Sequence, residues 1–165
     1  MEILLIVLGS LVLIVVVIAL VSGPKLRQKG DAAVDRAKEL IGGPWVMLEP
    51  KVTGLGTIPP EAGGAQGLGC LAVSADRLAF VTWAPQKEFV LERSAITSVD
   101  IAAEDVGSAE KSTIIVSFPF EGAEATASFR MKTDLHDWLD ELGYDWGPEG
   151  RPAADADADV DDDED

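Results

Sequence analysis

Residues 3–21 form an almost unbroken apolar run, relieved only by Gly9 and Ser10, and no other feature constrains this chain so strongly. A helix rising about 1.5 Å per residue reaches roughly 30 Å over that length, the thickness of a bilayer core. An all-round apolar helix finds no cover in water, so its expected environment is lipid. The pattern therefore predicts a transmembrane anchor over residues 1–23, in contact with the lipid bilayer through residues 3–22. A cleaved leader would want a basic start, a shorter apolar stretch and small residues before a cut site. Here the only charge ahead of the run is Glu2, and the exit reads Leu20-Val21-Ser22-Gly23-Pro24. Lys25, Arg27 and Lys29 crowd the C-terminal flank, and the N-terminal flank has no Lys or Arg. The positive-inside bias then places the N-terminus outside and the C-terminal domain in the cytoplasm, as a single-pass protein of the cell membrane.

Residues 24–43 read as a juxtamembrane linker helix. Pro24 breaks the preceding run, and Ala33, Val34, Ala37, Leu40 and Ile41 then recur at helical spacing. Asp31 is the expected N-cap and Gly42-Gly43 the stop. The apolar stripe is thin and rich in alanine, which suits docking on protein better than insertion in lipid.

From Trp45 the period changes to two. Trp45–Val52 is an expected strand, and Thr53–Gly67, built largely from Gly, Pro and Ala, reads as a loop. Leu68–Ser74 and Leu78–Trp83 read as strands joined by a short turn, followed by Glu88–Arg93 and Ile96–Ala102. Thr113–Phe120 places Ile114, Val116, Phe118 and Phe120 on one face. Ala123–Met131 alternates, with Ala123, Ala125, Ala127, Phe129 and Met131 inward. A closing helix over Asp134–Leu142 carries the stripe Leu135, Trp138, Leu139 and Leu142, with Gly143 as its stop. Strands followed by one amphipathic helix predict a domain over residues 44–145, built as a small barrel with one end plugged.

Charge is distributed unevenly along the chain. The total is −16, and residues 146–165 hold nine acidic groups against the single base Arg151. That segment, with Pro148, Gly150 and Pro152 followed by a run of Asp and Ala, is expected to be a disordered acidic tail. So acidic a chain repels phosphate backbones, and nucleic acid is excluded as a partner. Cys70 is the only cysteine, so no internal disulfide can form; its apolar setting reads as a buried small side chain.

The segment Gly69-Cys-Leu-Ala-Val-Ser-Ala-Asp-Arg-Leu-Ala-Phe80 resembles the G-x-L-x-x-T-x-x-R-L-x-F hairpin of GRAM-type domains, with Ser74 in place of Thr. Trp138 in Leu135-His-Asp-Trp-Leu-Asp-Glu-Leu142 is similar to the core tryptophan of the closing helix in pleckstrin-homology domains. The resemblance spans residues 45–143. It implies a bacterial pleckstrin-homology-like, GRAM-like domain in a small single-pass membrane protein. The fold class expected is thus one N-terminal transmembrane helix plus a mainly-β pleckstrin-homology-like small barrel closed by a C-terminal α-helix. Members that bind phosphoinositides spread Lys and Arg across the first hairpin, as multiply charged phosphates demand. Between Lys51 and Arg77 this chain has no base, so phosphoinositide binding is disfavoured.

Little here suggests catalysis. His136 is the only histidine, and its neighbour Asp137 points about 100° away on a helix. No second His or Cys offers a zinc site, and no Ser or Thr stands in a nucleophile motif. Gly54-Leu-Gly56 and Gly63-Gly64 fit neither a dinucleotide nor a P-loop pattern. Asp155-x-Asp157-x-Asp159 lacks the glycine and the bidentate Glu of a calcium loop. The expectation is therefore no enzyme, no catalytic or metal residue and no cofactor. The function expected is a membrane-anchored, non-catalytic interaction module that binds an unknown protein partner. The alternative is a binder of lipid or a small apolar ligand in an export or envelope process.

Overall fold

The computed structural model describes residues 27–64, 66–102, 112–133 and 135–145. Helix α1 occupies residues 27–41. Among the described residues seven strands follow: β1 (Trp45–Ile58), β2 (Gln66–Ser74), β3 (Arg77–Thr82), β4 (Glu88–Glu92), β5 (Ser98–Ile101), β6 (Ser112–Phe120) and β7 (Ala123–Met131). Helix α2 (Leu135–Leu142) closes the described chain. Short 3-10 turns at Pro60–Ala62 and Arg93–Ala95 link β1 to β2 and β4 to β5.

All seven strands form one antiparallel sheet in the order β4-β3-β2-β1-β7-β6-β5. The long β1 joins its two halves. Residues Trp45–Leu55 pair with β2, while Thr53–Ile58 pair with β7. Register shifts between Glu49 and Val52, and between Gly54 and Gly56, let one strand bend from one partner to the other. Gly56 takes φ +98°, a conformation that side-chain-bearing residues resist. The β6–β7 turn is a tight one at Glu121-Gly122, both with positive φ, as two-residue hairpins require.

Period-two patterning explains the larger core. Leu71, Val73, Leu78, Phe80, Phe89 and Leu91 point inward from β2, β3 and β4, towards Ile114, Val116, Phe118, Phe129 and Met131. Phe80 and Phe129 stand 5.3 Å apart between ring centroids and Phe89 and Phe118 5.7 Å, with the rings tilted as aromatic pairs prefer. Helix α2 adds Leu135, Trp138, Leu139 and Leu142, all four positions of its expected stripe, to this cluster.

A second, smaller core lies on the opposite face. Ala33, Ala37 and Ile41 of α1 pack on Cys70, Ala72, Ala79 and Val81 of β2 and β3. Small side chains meet small side chains there, so helix and sheet approach closely. Both faces of β2 and β3 are therefore covered, which is why Cys70–Ser74 and Leu78–Thr82 are buried without alternation. Exposed Arg36 reaches from α1 to Glu88 on β4 (Nε–Oε1 2.7 Å).

Several expectations are corrected. Among the described residues no helix is long and apolar enough to cross a membrane. The transmembrane, single-pass and plasma-membrane readings therefore find no element here, and the apolar run 3–22 lies outside the described residues, as does the acidic segment 146–165. The fold is not a barrel closed by one helix. Among the described residues it is an open sheet whose margins, β4 and β5, do not pair with each other, and it carries two helices. The Arg93–Ala95 turn redirects the chain between those two strands, and the doubly apolar β2–β3 pair needs α1 as its outer cover. Helix α1 already runs at residue 27, so Asp31 lies inside it and is not its N-cap. Thr53–Gly67 is not one loop, because β1 continues to Ile58. Buried Gly54 pairs with Gly67 on one side and Phe129 on the other, which favours a residue with no side chain.

Candidate functional site

A concavity lies where the C-terminal end of α1 meets the β2–β3 turn and the end of β4. Ser74 builds that turn. Its buried Oγ accepts the backbone N–H groups of Asp76 (3.3 Å) and Arg77 (3.1 Å), a hydroxyl-stabilised turn that reverses the chain over Ala75-Asp76. The hairpin resembling the GRAM-type segment is thereby locked, and Arg77 is presented on its exit strand.

Two arginines close the ends of the two helices from this corner. Arg77 Nη1 donates to the carbonyl of Leu40 (3.2 Å) in the last turn of α1. Arg93 Nη1 donates to Glu141 Oε1 (2.5 Å) and to the carbonyl of Ser74 (3.2 Å), and its Nη2 donates to the carbonyl of Glu141 near the end of α2. Each guanidinium meets carbonyls that a helix end leaves without intrahelical donors, and each opposes the negative end of a helix dipole. Arg93 is half-buried, so its pairing is better shielded from water than that of the exposed Arg36–Glu88 pair.

Between these groups lies an open cleft of about 470 Å³, lined by Ile41, Gly42, Asp76, Arg77, Glu92 and Arg93, with Ala75 and Ser94 at its sides. Its charges balance, two basic against two acidic. Trp45 and Val46 stand at the same end of the sheet, since Trp45 pairs with Ser74, and both are about half exposed. Lys38 lies over the Trp45 ring at 5.7 Å, within cation–π range. An exposed aromatic beside a cleft with balanced charges suits a protein surface better than a compact anion.

Residues weighed for chemistry fall elsewhere. Cys70 is fully buried under α1, and burial pushes its thiol up to about 12, so the nucleophilic thiolate is suppressed. His136 sits half-buried on α2 and does not line the cleft. Thr82 Oγ1 donates to the carbonyl of Pro85 (2.5 Å) and accepts the N–H of Lys87 (2.8 Å), shaping the β3–β4 turn. Gly63-Gly64 close the β1–β2 connection, where Gly64 N donates to Thr57 Oγ1 (3.1 Å). Among the described residues, no group of three or more His, Cys, Asp or Glu could hold a metal ion. Sequence reasoning did not single out Arg93, because a base at a strand end looks like solvated punctuation. Its one signal was position, directly at the break between two strands.

No protein-family model matches the chain, and no curated protein matches it in sequence.

Proposed function

We propose that this chain is a non-catalytic interaction module that binds a protein partner at the corner formed by the α1 C-terminus, the β2–β3 turn and the end of β4. The observation that carries this reading is the cleft between Arg77 and Arg93 with half-exposed Trp45 and Val46 beside it. Protein interfaces concentrate their energy in such aromatic and arginine anchors. The alternative, an apolar ligand held inside the sheet, finds less support. Phe80, Phe89, Phe118 and Phe129 fill that interior with rings 5.3–6.2 Å apart.

A photo-crosslinking side chain at Ser94, in the full chain expressed in its own cells, tests the reading. Ser94 is exposed and makes no cap, so the fold should be unaffected. A discrete protein adduct from Ser94, absent when the same group replaces exposed Glu124 on β7, is the expected result. Equal adducts from both positions would refute the site. A co-purifying lipid seen by native mass spectrometry, with no protein adduct, would favour the apolar-ligand reading instead.

A further inference from the structure

The corner just described continues into a sheet margin. Glu92 lines the cleft and is also the last residue of β4, the marginal strand beside β3. Its register with β3 determines which of its backbone groups are used. Arg93 N donates to the carbonyl of Asp76 (2.8 Å), and Thr82 N donates to that of Lys87 (3.0 Å). In an antiparallel ladder such bonded pairs recur at every second residue. Residues 87, 89, 91 and 93 therefore turn their N–H and C=O groups towards β3. Glu88, Val90 and Glu92 turn theirs to the other side, where no strand pairs with β4 among the described residues.

The side chains of those same three residues form the outer row of β4. Glu88 and Glu92 are exposed, and Val90 between them is 41% exposed although its neighbour Ala79 is covered by α1. An apolar side chain beside open backbone groups is the arrangement by which a sheet edge accepts an additional strand. A second copy of this chain fits it badly. Two β4 strands paired antiparallel about Val90 would set Glu88 opposite Glu92 and Lys87 opposite Arg93, in both halves of the pair. Every facing pair is then a like pair, and like charges directly opposite are unfavourable. The same row favours the opposite charge pattern.

We infer that the open edge of β4 takes up an extended segment of a partner protein, bearing an apolar side chain opposite Val90 and basic side chains opposite Glu88 and Glu92. Glu92 has no ion-pair partner among the described residues, and Glu88 is paired only with Arg36 (2.7 and 3.1 Å) at an exposed site, where an incoming base can share or replace that contact at small cost. The inference deepens the protein-partner reading and rests on it: it names the backbone edge and the chemistry of the segment that edge selects.

The probe is a capped peptide, Thr-Lys-Thr-Val-Thr-Lys-Thr, titrated into the isotope-labelled full chain and followed by backbone amide NMR. Expected are saturable shifts centred on Glu88, Val90 and Glu92, with the Val90 amide becoming slower to exchange with solvent. The peptide with Glu in place of Lys should bind on the order of tenfold more weakly, from two reversed cross-strand pairs. Val90→Pro is the decisive variant. It removes an N–H that faces away from β3, so no ladder bond is lost and the domain should fold with its remaining spectrum unchanged, while peptide binding disappears. Shifts spread over other surfaces, undiminished binding by folded Val90→Pro, or equal binding of both peptides would overturn the inference. Should the wild-type chain give the Ser94 protein adduct yet fail to bind the peptide, the edge is refuted and the interaction-module reading stands. Loss of the adduct from the wild-type chain would refute that reading itself.

Discussion

Trp138→Ala should be the most damaging single truncation in α2, and its cost can be worked from the packing. Trp138 is 2% exposed and sits in the main core with Leu135, Leu139 and Leu142 of its own helix. A buried aromatic removes about 150–250 Å² from water. At roughly 25 cal/mol per Å² that is about 4–6 kcal/mol, of which alanine retains a small part. Measured truncations of large aromatics cluster at about 3–5 kcal/mol, and that is the loss expected here. Helix α2 spans only eight residues, too few to persist without tertiary support. The gap left by the indole therefore threatens the docking of all three leucines at once. For a domain of this size, about 4–8 °C is lost per kcal/mol, so the melting temperature should fall by roughly 12–40 °C. Urea and thermal unfolding followed by circular dichroism measure this, with His136→Ala on the half-buried side of the same helix as the comparison. Similar, small effects for the two substitutions would mean that α2 does not seal the core, and the argument would fail.

Arg93→Lys should cost about 1.5–3 kcal/mol in urea unfolding, because an ammonium cannot reproduce the forked contacts to Ser74 and Glu141. Gly69→Ala should cost about 1–3 kcal/mol by the same measurement, since an added Cβ would meet the Phe80 ring at 2.7 Å. Ala37→Leu should likewise cost about 1–3 kcal/mol by overpacking the α1–sheet contact, whereas Glu88→Gln, which breaks only an exposed ion pair, should leave the melting temperature essentially unchanged. Because the Cys70 thiol is raised to about 12 by burial, the unfolded chain ionises it first. Stability should therefore be independent of this group below about pH 8.5 and decline as pH rises from there towards 12, a slope that Cys70→Ala should remove.

Strands with one wet face were legible in the sequence, and doubly covered or glycine-bearing ones were less so. The alternation of Ala125, Ala127, Phe129 and Met131 identified β7 and its inward face, but Ala123, expected inward, is exposed at the Glu121-Gly122 turn, where the strand leaves the core. The stripe of α2 was equally plain, because every apolar position on it is buried. The length of β1 was hidden by Gly54 and Gly56, which locally favour a loop. Tertiary pairing on both sides overrides that preference. The alanine stripe of α1 suggested a docked helix, but only the small residues on the outer face of β2 and β3 specify where it docks. At the candidate site, Arg77 was visible within a hairpin motif, whereas Arg93 acquires its role from two carbonyls distant in sequence. The exposure of Val90 in Glu-Phe-Val-Leu-Glu could not be read from the sequence, because it depends on β4 lying at the margin of the sheet.

The bent β1 has a consequence for how the molecule is assembled. The β2–β3–β4 meander and the β6–β7 hairpin are each held by neighbours close in sequence, and such contacts form early because little loop entropy is lost. The β1–β7 ladder joins Thr53–Ile58 to Thr126–Arg130 across most of the described chain. It is the sole ladder between the two halves of the sheet among the described residues. Zipping it should therefore be the slow, committing event in folding, and the amides of that ladder should exchange with solvent only when both halves separate.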